Sequence, residues 1–323
     1  MSAFTHHLKQ RPALRALKQL KNGKAVGPDG IPPEVLKLNP ITTAEMLHVS
    51  LRSGKLREFH QNGSMGKLPK KGGLELCNKW RGIPSKVFCR TILDRLKDAL
   101  DKQLRCNQAG FRKDRSCTDH IATLRIIIEQ LKEWQTPLYL NFIDFEKAFD
   151  SVDRNVIWQL MRHYGIPQKF IKLIQDLYES SSCQVIHNGK LSESFEMSTG
   201  VHQGCLLSPM IFIMVVDWIM REVEDQGKTG IQWILTTQLH DLDYADDICL
   251  LSQKLQHMQT KTNNLEQIAE KTGLRISKDK TKVMRANTKQ QDKIKLKVRI
   301  WKMSKASLIW VASSQNPEEL KRT

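Results

Sequence analysis

The stretch at residues 238–252 constrains the fold of this chain most, because two runs of strand-forming residues flank an acidic tip. The tip is Tyr244-Ala245-Asp246-Asp247, and apolar residues continue beyond it for the length of a strand. We predict two strands joined by a short hairpin with two adjacent carboxylates at its turn. Such carboxylates repel each other and are costly to bury together unless a cation such as Mg²⁺ neutralises them. An acidic surface turn without a bound cation is the alternative interpretation.

The chain is strongly basic: its 323 residues include 51 Lys and Arg against 34 Asp and Glu, a formal net charge of +17. A charge of this sign and size favours a polyanionic partner, either nucleic acid or an acidic membrane surface. The hydrophobic fraction of 40% and the charged fraction of 26% are those of an ordinary globular protein. The length allows a large core and two or three subdomains.

The seven cysteines are scattered, odd in number and contain no C-x-x-C pair. This pattern disfavours a structural zinc site and a secreted disulfide framework, and it favours a reducing compartment. No apolar run is long enough to span a bilayer, and the N-terminus lacks the apolar core of a signal peptide. We therefore expect an intracellular protein of the cytoplasm or nucleus, neither secreted nor bound to a membrane.

A further carboxylate ends the apolar stretch at residues 138–144, LYLNFID, which has the length and composition of a strand. The sequence FEKAFD follows it, so Asp144 is predicted at a sheet edge with the aromatic ring of Phe149 nearby. Asp150 is expected instead to cap the next helical segment or to pair with a base.

Two regions are candidates for binding phosphate. Residues 198–209, STGVHQGCLLSP, read as a Gly-rich polar loop that opens an apolar helix at residues 210–220. Backbone N–H groups at this helix start, with Gln203 nearby, suit an anionic or sugar-phosphate ligand. Upstream, Lys67 and Arg81 belong to basic clusters beside loops, where such side chains can hold phosphates. Each of these signals is also compatible with an ordinary solvated loop.

The remaining apolar periodicity predicts a mainly helical frame around these strands. Helices are predicted at residues 4–21, 33–37, 42–56, 86–104, 118–133, 156–164, 170–178 and 254–271. Ser116, Thr118 or Asp119 could cap the helix at residues 118–133. The pair Asn188-Gly189 predicts a hairpin, and residues 273–284 predict a basic strand-turn-strand.

The order of these features points to the palm of a template-dependent polymerase. A strand ending in Asp144, a Gly-Gln loop opening a helix, and an acidic hairpin at Asp246 and Asp247 place three carboxylates on adjacent strands. Three such carboxylates can hold two Mg²⁺ ions, which activate a primer 3′-hydroxyl and stabilise the leaving pyrophosphate.

The chain resembles the reverse transcriptases of non-LTR retrotransposons, the LINE-type elements, over nearly all of residues 21–287. The resemblance rests on eight strings in the family's order: GKAVGPDGIPPEVLK, LPKKG, WRGI, QAGFRKDRSCTDHIATLR, YLNFIDFEKAFDSVDR, TGVHQGCLLSP, DYADD and GLRISKDKTKVM. It implies an α+β fold with the palm and fingers of a right-hand polymerase, in which an antiparallel palm sheet packs with helices.

The resemblance also implies roles for individual residues. Asp144, Asp246 and Asp247 match the three catalytic, metal-binding carboxylates, and the carbonyl of Phe145 would be a further metal ligand. Phe149 matches the bulky residue that screens the sugar 2′-position and so favours deoxynucleotides. The other implied substrate-binding residues are Gln203 and Gly204 under the incoming nucleotide and template base, Arg81 and Lys67 at the triphosphate, and Lys278 or Lys280 near the leaving phosphate.

The domain plan and the ligands follow from the same resemblance. Residues 1–56 would form an N-terminal extension and lead into the fingers, residues 57–137 the fingers, and residues 138–287 the palm. Mg²⁺, or alternatively Mn²⁺, would be the cofactor, dNTPs the substrates, and an RNA template with a DNA primer the partners. The endonuclease and the thumb of such elements have no counterpart, so we expect a truncated copy.

Several positions depart from the family pattern. His202 stands where the family usually has Arg, so a titratable group replaces a fixed charge, and the chain is shortened between Gly82 and Lys86. Residues 297–312 lack the family phrase SFTYLGS, whereas ordinary codons read in a shifted frame recover GEDLEDVKSFTYLGS. We therefore expect residues 288–323 to be a poorly ordered tail, frameshifted from about Lys297 onward.

Two functions from different classes follow. The chain is either an RNA-directed DNA polymerase domain that adds dNTPs to a primer 3′-hydroxyl, or an inactive retroelement remnant that at most binds nucleic acid. The three aspartates favour the first function, whereas the shortened fingers and the missing thumb favour the second.

Overall fold

The computed structural model describes residues 12–23, 32–45, 83–179, 182–183, 186–187, 190–193, 195–202, 204–224, 229–234, 237–287, 294–296 and 299–300. Three predicted site residues, Lys67, Arg81 and Gln203, lie outside these ranges. The chain divides into two compact units, residues 1–103 with 153–211 and residues 104–152 with 212–323. The predicted division into fingers and palm stays a prediction.

The described helices and strands are numbered in chain order. The helices are α1 (Pro33–Leu38), α2 (Ile83–Asp101), α3 (Cys117–Glu133), α4 (Ala148–Ser151), α5 (Arg154–His163), α6 (Gln168–Glu179), α7 (Ser208–Glu224) and α8 (Leu255–Lys271), with helical residues also at 12–18 and 40–45. The strands are β1 (Leu138–Ile143), β2 (Ser182–Cys183), β3 (Ile186–His187), β4 (Lys190–Leu191), β5 (Phe195–Glu196), β6 (Ile231–Ile234), β7 (Thr237–Leu239), β8 (Asp241–Tyr244), β9 (Asp247–Ser252), β10 (Lys282–Ala286), β11 (Lys295–Leu296) and β12 (Arg299–Ile300). None of the helices in the described ranges is both long and apolar enough to cross a membrane.

The first unit is mainly helical in its described part. Helix α2 buries Val87, Ile92, Leu96 and Leu100, the face that the apolar spacing predicted. Val87 packs against alanine and leucine side chains of residues 12–18 in a small core. Short antiparallel pairs, β2 with β5 and β3 with β4, form the predicted hairpin around residues 188–189.

The cap of helix α5 corrects one of the two roles expected for Asp150, whereas its pairing with a base stays a prediction. Asp150 lies inside the short helix α4, and Asp153 is the residue that caps α5. The Asp153 carboxylate accepts hydrogen bonds from the backbone N–H groups of Asn155 at 2.7 Å and Val156 at 3.3 Å. The reason is that Val152 is extended and separates the two helices, so the free N–H groups of α5 lie beyond the reach of position 150.

The second unit contains a four-stranded antiparallel sheet in the order β10-β1-β9-β8. Strand β1 therefore lies in the middle, although its partners follow it by about 100 and 140 residues in the sequence. Helix α3 packs against one face of the sheet through Leu124 and Ile127, which share a core with Leu138 and Leu140. On the other face the Asn141 amide donates a hydrogen bond to the Thr262 hydroxyl of α8 at 3.0 Å. Because helices cover both faces, β1 is buried along nearly its whole length, and its one polar amide side chain, Asn141, is hydrogen-bonded.

The mixed helix-and-sheet architecture confirms the predicted α+β fold with an antiparallel sheet packed by helices. Helix α2 ends at Asp101, earlier than predicted, and a turn follows it at residues 102–103. The backbone N–H of Ser116 donates to the Asp119 carboxylate at 3.2 Å, as expected at the start of α3. In the predicted tail, β12 pairs with β11, and the frameshift stays a prediction.

Candidate active site

The acidic hairpin forms as predicted. Strands β8 and β9 pair antiparallel up to Tyr244 opposite Asp247, so Ala245 and Asp246 are the two loop residues. Ala245 has a positive φ of 58°, which two-residue hairpin loops commonly require. The strand after the turn is anchored by buried apolar side chains, among them Ile248. The turn is thus a fixed end of the sheet that carries two carboxylates.

Asp144 reaches the same end of the sheet from the neighbouring strand. β1 pairs with β9 up to Ile143 opposite Ile248, so Asp144 and Asp247 each adjoin the last pair of this register, and the charge of Asp144 acts on Asp247. The backbone of Asp144 is held on its other side, because its N–H donates to the Thr281 hydroxyl and its carbonyl accepts from Ser277 N–H at 2.7 Å. The predicted gathering of carboxylates on adjacent strands is therefore present in the fold.

Phe145 follows Asp144 in a buried position. It forms a β-bridge with Ile276, and the next residue, Glu146, donates its N–H to the Arg275 carbonyl at 2.8 Å. These contacts fix the backbone whose Phe145 carbonyl is expected to serve as a metal ligand.

The three aspartates influence one another electrostatically. Partial burial raises the pKa of Asp247 to about 6, with a further contribution from the negative charges of Asp246 and Asp144. Burial, together with the charge of Asp144, also raises the pKa of Asp246. The positive charge of Lys280 opposes these shifts, because it lowers the pKa of both carboxyl groups. The site therefore holds more negative charge than its own cations balance, as expected of a site that binds an additional cation.

The two candidate lysines lie on one turn but differ in their contacts. The Lys280 ammonium is 3.4 Å from the Asp144 carboxylate; the lysine side chain is exposed and the aspartate is partly buried. Lys278 is exposed on the same turn. Of the two lysines, Lys280 is therefore the one that lies beside the Asp144 carboxylate.

Phe149 lies on α4 in an aromatic cluster. Its ring stacks on Phe212 with centroids 4.4 Å apart, and Phe111 meets it edge-on at 6.3 Å. The cluster fixes the orientation of the ring that is expected to screen the sugar 2′-position.

The Gly-rich loop belongs to the first unit. Gly204 is exposed with a positive φ of 82°, and Gln203 lies outside the described residues. His202, which replaces the usual Arg, stacks on Tyr178 with ring centroids 4.2 Å apart. Ser208, the first residue of α7, donates its hydroxyl to the His202 carbonyl at 2.6 Å.

A buried ionic cluster behind the hairpin was missed by the sequence reasoning. Arg105 pairs with Asp243 at 3.1 Å, with Glu224 at 2.8 Å and with Asp241. Burial disfavours the charged form of each group. The Arg105 guanidinium nevertheless lowers the pKa of Asp241, whereas burial and the charge of Asp241 raise the pKa of Asp243. The alternation of two aspartates at positions 241 and 243, on the inward face of an otherwise apolar strand, is the signal that could have revealed it.

The donor set suits a hard divalent cation, although it is not closed around one. In the part of the chain that the structure describes, no three His, Cys, Asp or Glu side chains converge closely enough to hold a metal ion. Nevertheless, Asp144, Asp246 and Asp247 are carboxylates at one sheet edge, and two of them have raised pKa values that a cation would lower. Oxygen donors of this kind are those that Mg²⁺ prefers.

Comparison with known families identifies the family of this chain. The family described as "Reverse transcriptase (RNA-dependent DNA polymerase)" matches residues 68–302, more than half of the chain. The chain therefore belongs to the reverse transcriptase family, and both the predicted family and the palm-and-fingers fold class are confirmed.

Its relatives are proteins of transposable elements. The chain is 26% identical over 302 residues to the retrovirus-related Pol polyprotein from type-2 retrotransposable element R2DM of Drosophila melanogaster, covering 92% of this chain and 27% of that protein. It is 25% identical over 282 residues to the transposon TX1 uncharacterized 149 kDa protein of Xenopus laevis, covering 83% and 21% respectively. The chain thus spans about a quarter of the length of these relatives.

Among solved structures, apo telomerase from Candida tropicalis truncated from its C-terminal domain is similar at 17% identity. The match covers 63% of this chain and 42% of that chain, with a TM-score of 0.48.

Proposed function

We propose that this chain is an RNA-directed DNA polymerase domain that adds deoxynucleotides to a primer 3′-hydroxyl on an RNA template. The observation that supports the proposal is the register of β1 and β9, which pairs Ile143 with Ile248, the residues next to Asp144 and Asp247. Its substrates are dNTPs, its partners are the template and primer strands, and it works inside the cell, in the cytoplasm or nucleus.

Mg²⁺, or Mn²⁺ in its place, would be held by Asp144, Asp246 and Asp247 with the Phe145 carbonyl. When bound, such ions activate the attacking hydroxyl and stabilise the leaving pyrophosphate. The protein contributes position: the sheet fixes the three carboxylates at one edge, so that the reacting groups are held in place before the reaction.

Other residues select and neutralise the substrate. The stacked ring of Phe149 screens the sugar 2′-position and so favours deoxynucleotides. Lys280, beside Asp144, supplies positive charge where phosphate oxygens accumulate charge, with Lys278 as the exposed alternative. Gln203 and Gly204 are assigned to the nucleotide and template base, and Lys67 and Arg81 to the triphosphate.

Primer extension on an RNA template tests this function. The wild type should incorporate dNTPs with Mg²⁺, and Asp246→Asn, which preserves shape but removes the charge, should reduce incorporation about 100-fold or more. Asp98→Asn, at an exposed position of α2, is the matched control and should leave incorporation unchanged.

The alternative function, a nucleic-acid-binding remnant, predicts a different result. Incorporation by the wild type would then not exceed that of Asp246→Asn, while both proteins would still bind RNA. Equal RNA binding without incorporation would reject the polymerase proposal.

A further inference from the structure

A short segment at residues 105–110 lies beside β8 and extends to the acidic turn. The backbone N–H of Asp243 donates to the Asn107 carbonyl at 3.0 Å, and the Ala109 N–H donates to the Asp243 carbonyl at 2.9 Å. Gln108 and Asp243 thereby form a parallel bridge. We call this segment the brace. It pairs with β8 and so adds one short strand to the sheet next to the acidic turn.

Gln108 connects the brace to the turn itself. Its side chain is fully buried, and its carbonyl oxygen accepts hydrogen bonds from the N–H of Ala245 at 2.9 Å and of Gly110 at 2.7 Å. Its amide nitrogen donates to the Ala245 carbonyl at 3.2 Å. One side chain thus satisfies both backbone polar groups of the loop residue that precedes Asp246.

Ala245 needs such support because its conformation is unusual. Its positive φ is unfavourable for a residue with a Cβ, so surrounding contacts must maintain it. Gly110 allows the close approach, since a Cβ at that position would lie 2.2 Å from the Ala245 nitrogen. The turn and the brace are therefore in direct backbone contact.

The brace is anchored in the core at its other end. Arg105 forms the buried ion pairs with Asp241, Asp243 and Glu224, and its backbone N–H donates to the Asp217 carboxylate at 2.6 Å. Because β8 itself carries two of these partners, the same cluster holds both the brace and the strand that leads into the turn. Gln108 is consequently fixed relative to the hairpin.

We infer that Gln108 is a positioning residue for divalent-cation binding, acting through Ala245 on the directions of Asp246 and Asp247. It touches neither the cation nor the substrate. The inference rests on the proposed function, because it assumes that these aspartates bind a cation. Residues that orient metal ligands typically change metal affinity about 10- to 100-fold when removed.

The test measures Mn²⁺ binding by the electron paramagnetic resonance signal of the free ion, without any turnover. Gln108→Leu, which keeps volume and removes three hydrogen bonds, should raise the Kd for Mn²⁺ at least about tenfold. Gln130→Leu, the same change at an exposed position of α3, should bind like the wild type. Unchanged Mn²⁺ affinity in Gln108→Leu would overturn the inference.

A second readout is the amide hydrogen exchange of the turn. Exchange at Ala245 and Gly110 should become faster in Gln108→Leu and return towards the wild-type rate in Gln108→Glu, which keeps both acceptor bonds. If circular dichroism shows that Gln108→Leu does not fold, the exchange rates of Gln108→Glu and the wild type are compared instead. Equal exchange in Gln108→Leu and the wild type, or a Gln108→Glu rate as fast as that of Gln108→Leu, would contradict the positioning role.

The same Mn²⁺ measurements distinguish failure of the proposed function from failure of this inference. If Asp246→Ala binds Mn²⁺ as tightly as the wild type, the acidic turn is not the metal site and the proposed function fails. If Asp246→Ala loses Mn²⁺ and Gln108→Leu keeps it, only the positioning role fails.

Discussion

At the scale of single residues, Lys261 is a buried, hydrogen-bonded cation close to the strands of the acidic turn. Its ammonium is buried under β8 and β9 and donates hydrogen bonds to the carbonyls of His240 at 2.9 Å and Leu251 at 2.8 Å. Burial lowers its pKa to about 8, although the charges of Asp241 and Glu224 oppose the shift. Carrying this charge in the core therefore costs stability at neutral pH.

This shift predicts a pH dependence with a definite sign. The folded-state pKa of Lys261 lies below the unfolded value, so between about pH 8 and 10.5 the unfolded chain holds more protons and stability rises with pH. Relative to Lys261→Met, the wild type should gain about 2–3 kcal/mol of unfolding free energy from pH 7 to 10. Urea unfolding at the two pH values measures the difference.

The control for Lys261 is Lys254→Met, at an exposed position just before α8. Its stability should follow that of the wild type across the same pH range. Parallel pH profiles for Lys261→Met and the wild type would show that Lys261 is not the group responsible.

At the scale of elements, the contact between the brace and the hairpin is a backbone-to-backbone junction. Gly110 permits it, because a Cβ there would overlap both the nitrogen and the Cα of Ala245. A side chain at position 110 would displace the turn from the brace. Gln108 would then lose its hydrogen bonds to the backbone of Ala245.

Gly110→Ala should therefore impair cation binding as well as stability. We expect a loss of about 1–3 kcal/mol or more in unfolding free energy from overpacking, and a weaker Mn²⁺ affinity because the turn moves. Gly165→Ala is a useful comparison: its cost comes from a positive φ of 70° with open space around the added Cβ. It should lose about 1–2 kcal/mol and keep its Mn²⁺ affinity. Normal Mn²⁺ binding by Gly110→Ala would show that the turn tolerates displacement.

Elements defined by local sequence were predictable, and contacts across the chain were not. The hairpin at Asp246 follows from two strands and a two-residue turn, and α3 follows from apolar spacing with a cap at Ser116. Gln108, in contrast, meets Ala245 across 137 positions, and no local pattern reports such a contact. Capping of α5 was one of the two roles expected for Asp150, and Asp153 caps that helix instead, because composition alone cannot show where the intervening residue becomes extended.

At the scale of the whole molecule, the excess of cations over anions dominates. The net charge of +17 should attract the phosphate backbone of RNA, whatever its sequence. The carboxylates of the acidic turn are a local exception within a basic protein, so we expect a cation to bind at the turn while the net charge favours polyanions.

RNA binding should accordingly weaken steeply with salt. If six or more phosphates are neutralised, affinity should fall about 10³-fold or more between 50 and 200 mM salt. Fluorescence anisotropy with a labelled RNA in the presence of EDTA measures the slope, and Asp246→Asn should give the same slope as the wild type. Affinity that does not change with salt would argue against binding through the basic charge.

The central place of β1 in the sheet has a consequence for synthesis on the ribosome. β1 emerges about 100 residues before β9 and about 140 before β10, the two strands that cover its edges. At about 5–20 residues per second, this six-residue, largely apolar strand stays for several seconds with both edges open. Open apolar edges are templates for aggregation, so we expect nascent chains to depend on chaperones until β10 is made. A chain that stops before residue 282 leaves β1 uncovered on one side, and we expect such fragments to be degraded instead of accumulating.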